Sequence, residues 1–129
     1  MRVQFGRALV CAMAVSLFAR CGTSASESRG DFLLAVADET FVVRASDPET
    51  IRLLQENFRG RNQMFPTGPL RRGDGGFNAP WSWHFDPEGV RMAEVAIEVC
   101  DARPSYVETH LEDFLRGYCP WSARVVGLR

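Results

Sequence analysis

Beyond residue 30, short apolar runs alternate with polar residues, and the spacing of the apolar positions changes along the chain. The runs 32–37 and 41–45 are rich in β-branched and aromatic residues. Asp38-Glu39 separates them, which predicts a β-hairpin. Val95, Ile97 and Val99 alternate with Ala96, Glu98 and Cys100, which predicts a half-buried strand, and residues 122–128 fit a final strand.

Helical spacing follows the hairpin. Ser46 or Asp47 can cap a helix, and Glu49 is spaced to close a capping box on Ser46. Pro48 suits the first turn and Gly60 ends the pattern. The apolar face of this predicted helix consists of Ile51, Leu54 and Phe58.

A second helix is predicted over 104–116, where Ser105 and Glu108 have capping-box spacing and Gly117 stops the pattern. The glycine-rich stretch 60–80 is irregular, with a brief strand near Leu70. Strands therefore outnumber helices and are joined by short connections. This order predicts a single small α+β domain, with about two helices packed on one face of a mostly antiparallel sheet.

The N-terminus has the pattern of a targeting segment. Arg2 and Arg7 form a basic region, and residues 8–19 form an uncharged run. That run matches a signal peptide and is shorter than the ~20 residues needed to cross a bilayer, so no transmembrane span is expected. Small residues before and at Ala25 predict cleavage there.

A second exit from this segment is open. Residues 17–21 resemble a bacterial lipoprotein box in which Cys21 would carry the lipid, although Arg20 stands where that box has Gly or Ala. Either exit leads out of the cytoplasm, to a secreted or periplasmic protein or to a membrane-anchored lipoprotein. The predicted organisation is a signal peptide at 1–25 (ending at Arg20 in the lipoprotein case), a flexible leader at 26–30 and one domain at 31–129.

Composition excludes several functions. Hydrophobic residues make up 46% of the 129-residue chain and charged residues 24%, which is ordinary for a globular protein. Lysine is absent, so Schiff-base and P-loop chemistry have no amine to use. A formal net charge of −1 gives no basic surface for nucleic acid or for an anionic membrane.

Two cysteines, Cys100 and Cys119, remain after removal of the signal segment. An even pair in an oxidising compartment favours a disulfide, worth about 3 kcal/mol through its effect on the unfolded chain. Metal binding is the alternative, because Cys100, Cys119, His84 and His110 together make a Cys2His2 set. No pair among them has the short spacing of zinc-finger ligands. A bound metal is therefore the weaker interpretation, and no cofactor is expected.

Residues 81–86 alternate between aromatic and polar side chains. In an extended strand Trp81 and Trp83 point to one face and His84 to the other. The aromatic face either belongs to the core or binds a protein or carbohydrate partner, since exposed tryptophans stack on sugars and anchor protein interfaces. The candidate binding residues are Trp81, Trp83 and His84.

An enzyme centred on His84 is the alternative function. Ser82 and Asp86 share its face, but neighbours two apart on a strand are separated by roughly 6.6–6.8 Å, too far for the hydrogen bonds of a triad. His84 acting as a general base would need a carboxylate from elsewhere; the candidates are Glu94, Glu98 and Asp101. The tripeptide 72–74 (Arg-Gly-Asp) is interpreted as part of a flexible turn.

Several blocks together resemble one known family, the small domain at the N-terminus of an amoebal calmodulin-binding protein, which also occurs as exported stand-alone bacterial proteins. The resemblance spans roughly 40–128, and its blocks are 41–51, 78–87, 98–101 with 107–111, and 119–122. It implies no catalytic residues. Calmodulin is not an expected partner, because both predicted helices carry acids and lack lysine, unlike the basic helices that calmodulin binds.

These observations favour an exported, disulfide-bonded binding domain with a protein or carbohydrate partner. The alternative is a metal-dependent or hydrolytic enzyme centred on His84.

Overall fold

A computed structural model describes residues 30–96 and 99–129. The predicted signal peptide, the lipoprotein box with Cys21 and most of the leader lie outside these residues, as do Ile97 and Glu98. Within the described ranges, no helix is long and apolar enough to cross a membrane. The α+β class is confirmed: seven strands and three helices of the described residues form one small domain.

Every strand pair in the described chain is antiparallel. The strands form three small sheets, ordered β2-β1-β7, β3-β6 and β4-β5, where the sequence predicted one. In chain order the elements are β1 (Asp31–Val36), β2 (Glu39–Arg44), α1 (Pro48–Phe58), β3 (Phe65–Thr67), β4 (Leu70–Arg72), β5 (Trp83–Phe85), β6 (Arg91–Ala93), α2 (Pro104–Thr109), α3 (Leu111–Phe114) and β7 (Arg124–Leu128).

Aromatic rings form the centre of the core. Phe41 on β2 lies within 5.7–6.2 Å, centroid to centroid, of the rings of Trp83, Phe85 and Tyr118. Leu54 from α1 and Val107 from α2 are fully buried in the same cluster. The core therefore joins the three-stranded sheet to the β4-β5 pair, and these large rings supply much of the buried apolar area.

The predicted strand over 95–100 is wrong in the part of the chain that is described. Val95 and Val99 are exposed, and the strand in this region is β6, which pairs with β3. Pairing cannot continue past Phe65, because the neighbouring backbone groups of Met64 are already bonded. Its N–H donates to Asn62 Oδ1 and its carbonyl accepts from the Asn57 side chain. Without a partner strand, the alternating pattern has no sheet to join.

Helix α1 begins with Asp47, whose carboxylate accepts from the Thr50 N–H at 2.9 Å. The predicted capping box between Ser46 and Glu49 is not formed. Glu49 pairs instead with Arg52, and the Ser46 hydroxyl donates to a backbone carbonyl. Asp47 therefore supplies the cap, and hydrogen bonding from Thr50 lowers the pKa of its carboxyl group.

The predicted second helix is two short helices, α2 and α3, which meet at His110. The Ser105–Glu108 capping box is also wrong. Ser105 donates from both its N–H and its hydroxyl to Glu39 on the hairpin, and Glu108 accepts from the backbone N–H of Ser82. The first turn of α2 is thus bonded by a carboxylate distant in sequence, which attaches the helix to β2.

The predicted disulfide between Cys100 and Cys119 is confirmed, with Cα atoms 5.1 Å apart. Both cysteines lie outside the named strands, whereas the predicted strand over 95–100 ended at Cys100. The Cys119 N–H also donates to the Cys100 carbonyl at 2.8 Å. A bridge across 19 residues stabilises the fold by about 3 kcal/mol and fixes the segment before α2 against the buried Tyr118.

Two buried asparagines satisfy backbone groups at the outer edges of the three-stranded sheet. Asn57 Oδ1 accepts from the Val125 N–H on β7. Asn78, which is fully buried, accepts from the Val42 N–H on β2 at 2.7 Å and donates to the Trp83 carbonyl at 2.6 Å. The second amide therefore joins the sheet directly to β5, the strand that carries His84.

We predict that Asn78→Ala lowers the free energy of unfolding by ~2–6 kcal/mol, because it leaves the Val42 N–H and the Trp83 carbonyl buried without partners. Urea unfolding monitored by fluorescence measures the change. Gln63→Ala, at an exposed position with the same amide group, is the control and should change stability by less than about 0.5 kcal/mol. Equal stability of the two variants would contradict the assigned role of Asn78.

Candidate functional site

A cleft of about 240 Å³ lies where the end of β2, the loop before Phe77 and the turn after β5 meet. Its side chains include a cation, an acid, an imidazole and apolar groups. The cleft is lined by, among others, Arg44, Ser46, Phe77, His84, Pro87 and Glu88.

His84 is 8% exposed, and its orientation is fixed by one hydrogen bond. Its Nδ1 lies 2.7 Å from the Gly73 carbonyl oxygen. Since a carbonyl can only accept, Nδ1 carries the hydrogen and Nε2 of the neutral ring has the free lone pair. Within the described ranges Nε2 has no hydrogen-bond partner, and it is not among the fully buried unpaired atoms. The imidazole thus offers one available acceptor.

Arg44 and Phe77 form the adjoining wall. Arg44 donates from Nε and Nη2 to the two oxygens of Asp31, at 2.7 and 2.8 Å. Its guanidinium carbon stands 4.5 Å from the centre of the Phe77 ring. Phe77 in turn meets His84 edge to face, with centroids 5.2 Å apart. The hydrogen bonds to Asp31 raise the pKa of Arg44, so the wall keeps a permanent positive charge.

Gly75 allows these rings to approach the loop. Its φ is +64°, a left-handed conformation that favours glycine. A Cβ there would stand 2.8 Å from Phe77 Cε1 and 2.9 Å from His84 Cδ2. The loop therefore needs glycine for its backbone conformation and for ring packing.

Ser82, His84 and Asp86, which the sequence pattern places on one face, do not form a catalytic triad. His84 bonds to a backbone carbonyl, and Asp86 pairs with Arg71, whose Nη2 lies 3.0 Å from Oδ2. This hydrogen bond lowers the pKa of the Asp86 carboxyl group. Ser82 is bonded through its backbone to Glu108. Each of the three residues thus has a different partner.

The structure separates the two candidate tryptophans. Trp83 is fully buried, so its ring has no surface to offer a ligand, in disagreement with its predicted binding role. Trp81 is partly exposed, stacks on Trp83 and donates from Nε1 to the Thr40 carbonyl at 2.8 Å. Of the two, only Trp81 remains a candidate contact.

The four-residue metal set is not assembled. The sulfurs of Cys100 and Cys119 are joined in the disulfide, which removes the thiolates that zinc requires. His110 stacks on Tyr106 at 3.9 Å, on the exposed side of α2. Across residues 30–96 and 99–129, no three His, Cys, Asp or Glu side chains are grouped as metal ligands.

The carboxylates suggested as partners for His84 are not those in the cleft. Asp101 accepts from the Trp121 N–H, Glu94 does not line the cleft, and Glu98 lies outside the described residues. Glu88 is the acid that lines the cleft with His84. Glu88 belongs to the turn Asp86–Gly89, and its proximity to His84 depends on the fold.

The tripeptide 72–74 helps to build this site. Arg72 pairs with Glu112, the Gly73 carbonyl accepts from His84, and Asp74 Oδ1 accepts from the Gly76 N–H at 2.8 Å. Arg72 is the last residue of β4, and these bonds hold the loop that follows it against the cleft.

We predict that Gly75→Ala displaces the His84 and Phe77 rings, while Gly76→Ala does not. Both positions have positive φ, so each alanine should cost about 1–2 kcal/mol in backbone strain. A Cβ on Gly76 meets no atom within 4 Å, which makes it a matched control. Proton–nitrogen NMR of the imidazole should show an altered His84 Nδ1–H signal in Gly75→Ala alone. The same spectrum in both variants would show that close packing does not require Gly75.

Comparison with known proteins gave one assignment. The family model of the BP-74 N-terminal domain matches residues 31–129. Curated proteins and solved structures gave no significant match. The family model covers the whole described domain except Gly30, including the cleft and the disulfide. By this match, the chain belongs to the BP-74 N-terminal domain family.

Proposed function

We propose that this protein is an exported, disulfide-bonded binding domain, and that its partner, a protein or a carbohydrate, contacts the cleft at His84. The proposal rests on the His84 imidazole, which has a fixed tautomer and an unpaired Nε2 and lines a cleft that also contains the fixed cation of Arg44. Such preformed polar groups, placed on apolar walls, are typical of ligand sites. Membership in a family defined by this domain is compatible with binding.

Export is supported by the N-terminal pattern and by the disulfide, since such bonds persist in oxidising compartments. Processing would leave a chain that starts near Ser26, or one that starts at a lipid-bearing Cys21.

We predict that the mature protein, isolated from the cells that make it, starts near Ser26 and is two mass units lighter before reduction than after it. Intact-mass spectrometry before and after reduction reads both features. A mass increase matching acyl chains on Cys21 would select the lipoprotein route. A full-length chain with free thiols would contradict export.

Hydrolysis is a second candidate function. It is favoured by the neutral His84 Nε2, which can accept a proton, and by the presence of Glu88 in the same cleft. A hydrolase would cleave the ligand, whereas a binding domain would release it unchanged. Recovery of the bound ligand after incubation separates the two functions.

We expect binding of the purified protein to peptide and glycan arrays to depend on His84. His84→Phe keeps a ring against Phe77 and removes both nitrogens, so array signals should fall about tenfold, the effect of losing one good hydrogen bond of about 1.4 kcal/mol. His110→Phe changes the other histidine, which is exposed between α2 and α3, and should leave the signals unchanged. Signals that survive His84→Phe would place binding away from the cleft.

A further inference from the structure

The hydrogen-bonding groups left available in the cleft define its ligand. Arg44 uses Nε and one N–H of Nη2 on Asp31, which leaves Nη1 and the second Nη2 hydrogen as donors. His84 offers Nε2 as an acceptor. The Glu88 carboxylate, which only accepts, makes no ion pair with any residue in 30–96 or 99–129. The cleft thus presents the remaining N–H groups of Arg44 beside the acceptors on His84 and Glu88.

A ligand with a single charge meets both signs of charge in this cleft. A carboxylate paired with Arg44 would also face Glu88, and the lone pair on His84 Nε2 cannot donate a hydrogen bond to it. An ammonium group paired with Glu88 would also face Arg44, whose charge is permanent. Because a buried polar group without a partner is costly, the best ligand supplies hydrogen donors to both acceptors and an acceptor to Arg44. Neutral hydroxyl groups do both.

The size and walls of the cleft point the same way. Its volume of about 240 Å³ is below the roughly 300–1,000 Å³ of sites for drug-sized ligands, so it suits a single small ring. Phe77 and Pro87 supply apolar surface beside the polar groups. A sugar ring has the matching construction, since C–H groups form its faces and hydroxyl groups its rim.

Resting on the proposed binding function, we propose that the cleft binds one neutral pyranose ring of a saccharide. Arg44 Nη1 donates to one hydroxyl oxygen, while two other hydroxyl groups donate to His84 Nε2 and to the Glu88 carboxylate. Phe77 and Pro87 contact the C–H groups of the ring.

The test uses three matched series of small probes with the full protein: neutral methyl hexosides, the corresponding hexuronates and the corresponding 2-amino sugars. Saturation-transfer NMR detects binding and titration gives affinities. At neutral pH the neutral hexosides should bind best, and His84→Phe should weaken them about tenfold. Glu88→Gln should weaken neutral hexosides about threefold, because their hydroxyl then donates to an uncharged oxygen, and should improve hexuronates about tenfold.

Glu56→Gln is the control for the Glu88 change. Glu56 lies on α1, pairs with Arg59 and Arg61 beyond the end of that helix, and does not line the cleft. It should alter no affinity. Tighter binding of hexuronates or amino sugars to the unmodified protein would overturn the proposal, as would neutral hexosides that bind His84→Phe equally well. If sugars fail and peptides bind in a His84-dependent way, the saccharide is wrong while the binding function stands. If nothing binds at His84, both are wrong.

Discussion

The fully buried amide of Asn78 connects the three-stranded sheet to the β4-β5 pair. One of its hydrogen bonds takes the Val42 N–H at the edge of the main sheet, and the other takes the Trp83 carbonyl on β5. Neither backbone group could remain unpaired inside the core without a large loss of stability. The aromatic cluster between the two sheets, centred on Phe41 and Tyr118, packs in the arrangement that these two hydrogen bonds hold.

The cleft follows from the same constraint. Fixing Trp83 fixes its neighbour His84, whose side chain turns away from the core toward the glycine-rich loop and bonds to Gly73. The fixed end of β2 brings Arg44 over Phe77, and the Asp31 carboxylate holds the guanidinium there. A site with a cationic donor and two acceptors thus arises from the packing of β2, β5 and the glycine-rich loop.

Local patterns predicted the features that depend on neighbouring residues. The hairpin, the first helix and the final strand were evident in the spacing of apolar residues, and the disulfide followed from an even cysteine pair in a chain expected to be exported. Contacts across the chain could not be found in this way. Glu39 bonds to Ser105 on α2, and the link between Arg44 and Phe77 depends on sheet register. The pattern over 95–100 favoured a strand, but the described residues of this range lie in none.

Hydrogen exchange at the Val42 amide tests the central role of Asn78 most directly. An unpaired N–H on an edge strand exchanges through local fluctuations, whereas one bonded to a buried side chain exchanges only when the structure opens. Because its N–H is bonded to the buried Asn78 side chain, Val42 should be protected as strongly as the amides of β1 in the middle of the sheet. Rapid exchange at Val42, with the β1 amides still protected, would contradict it.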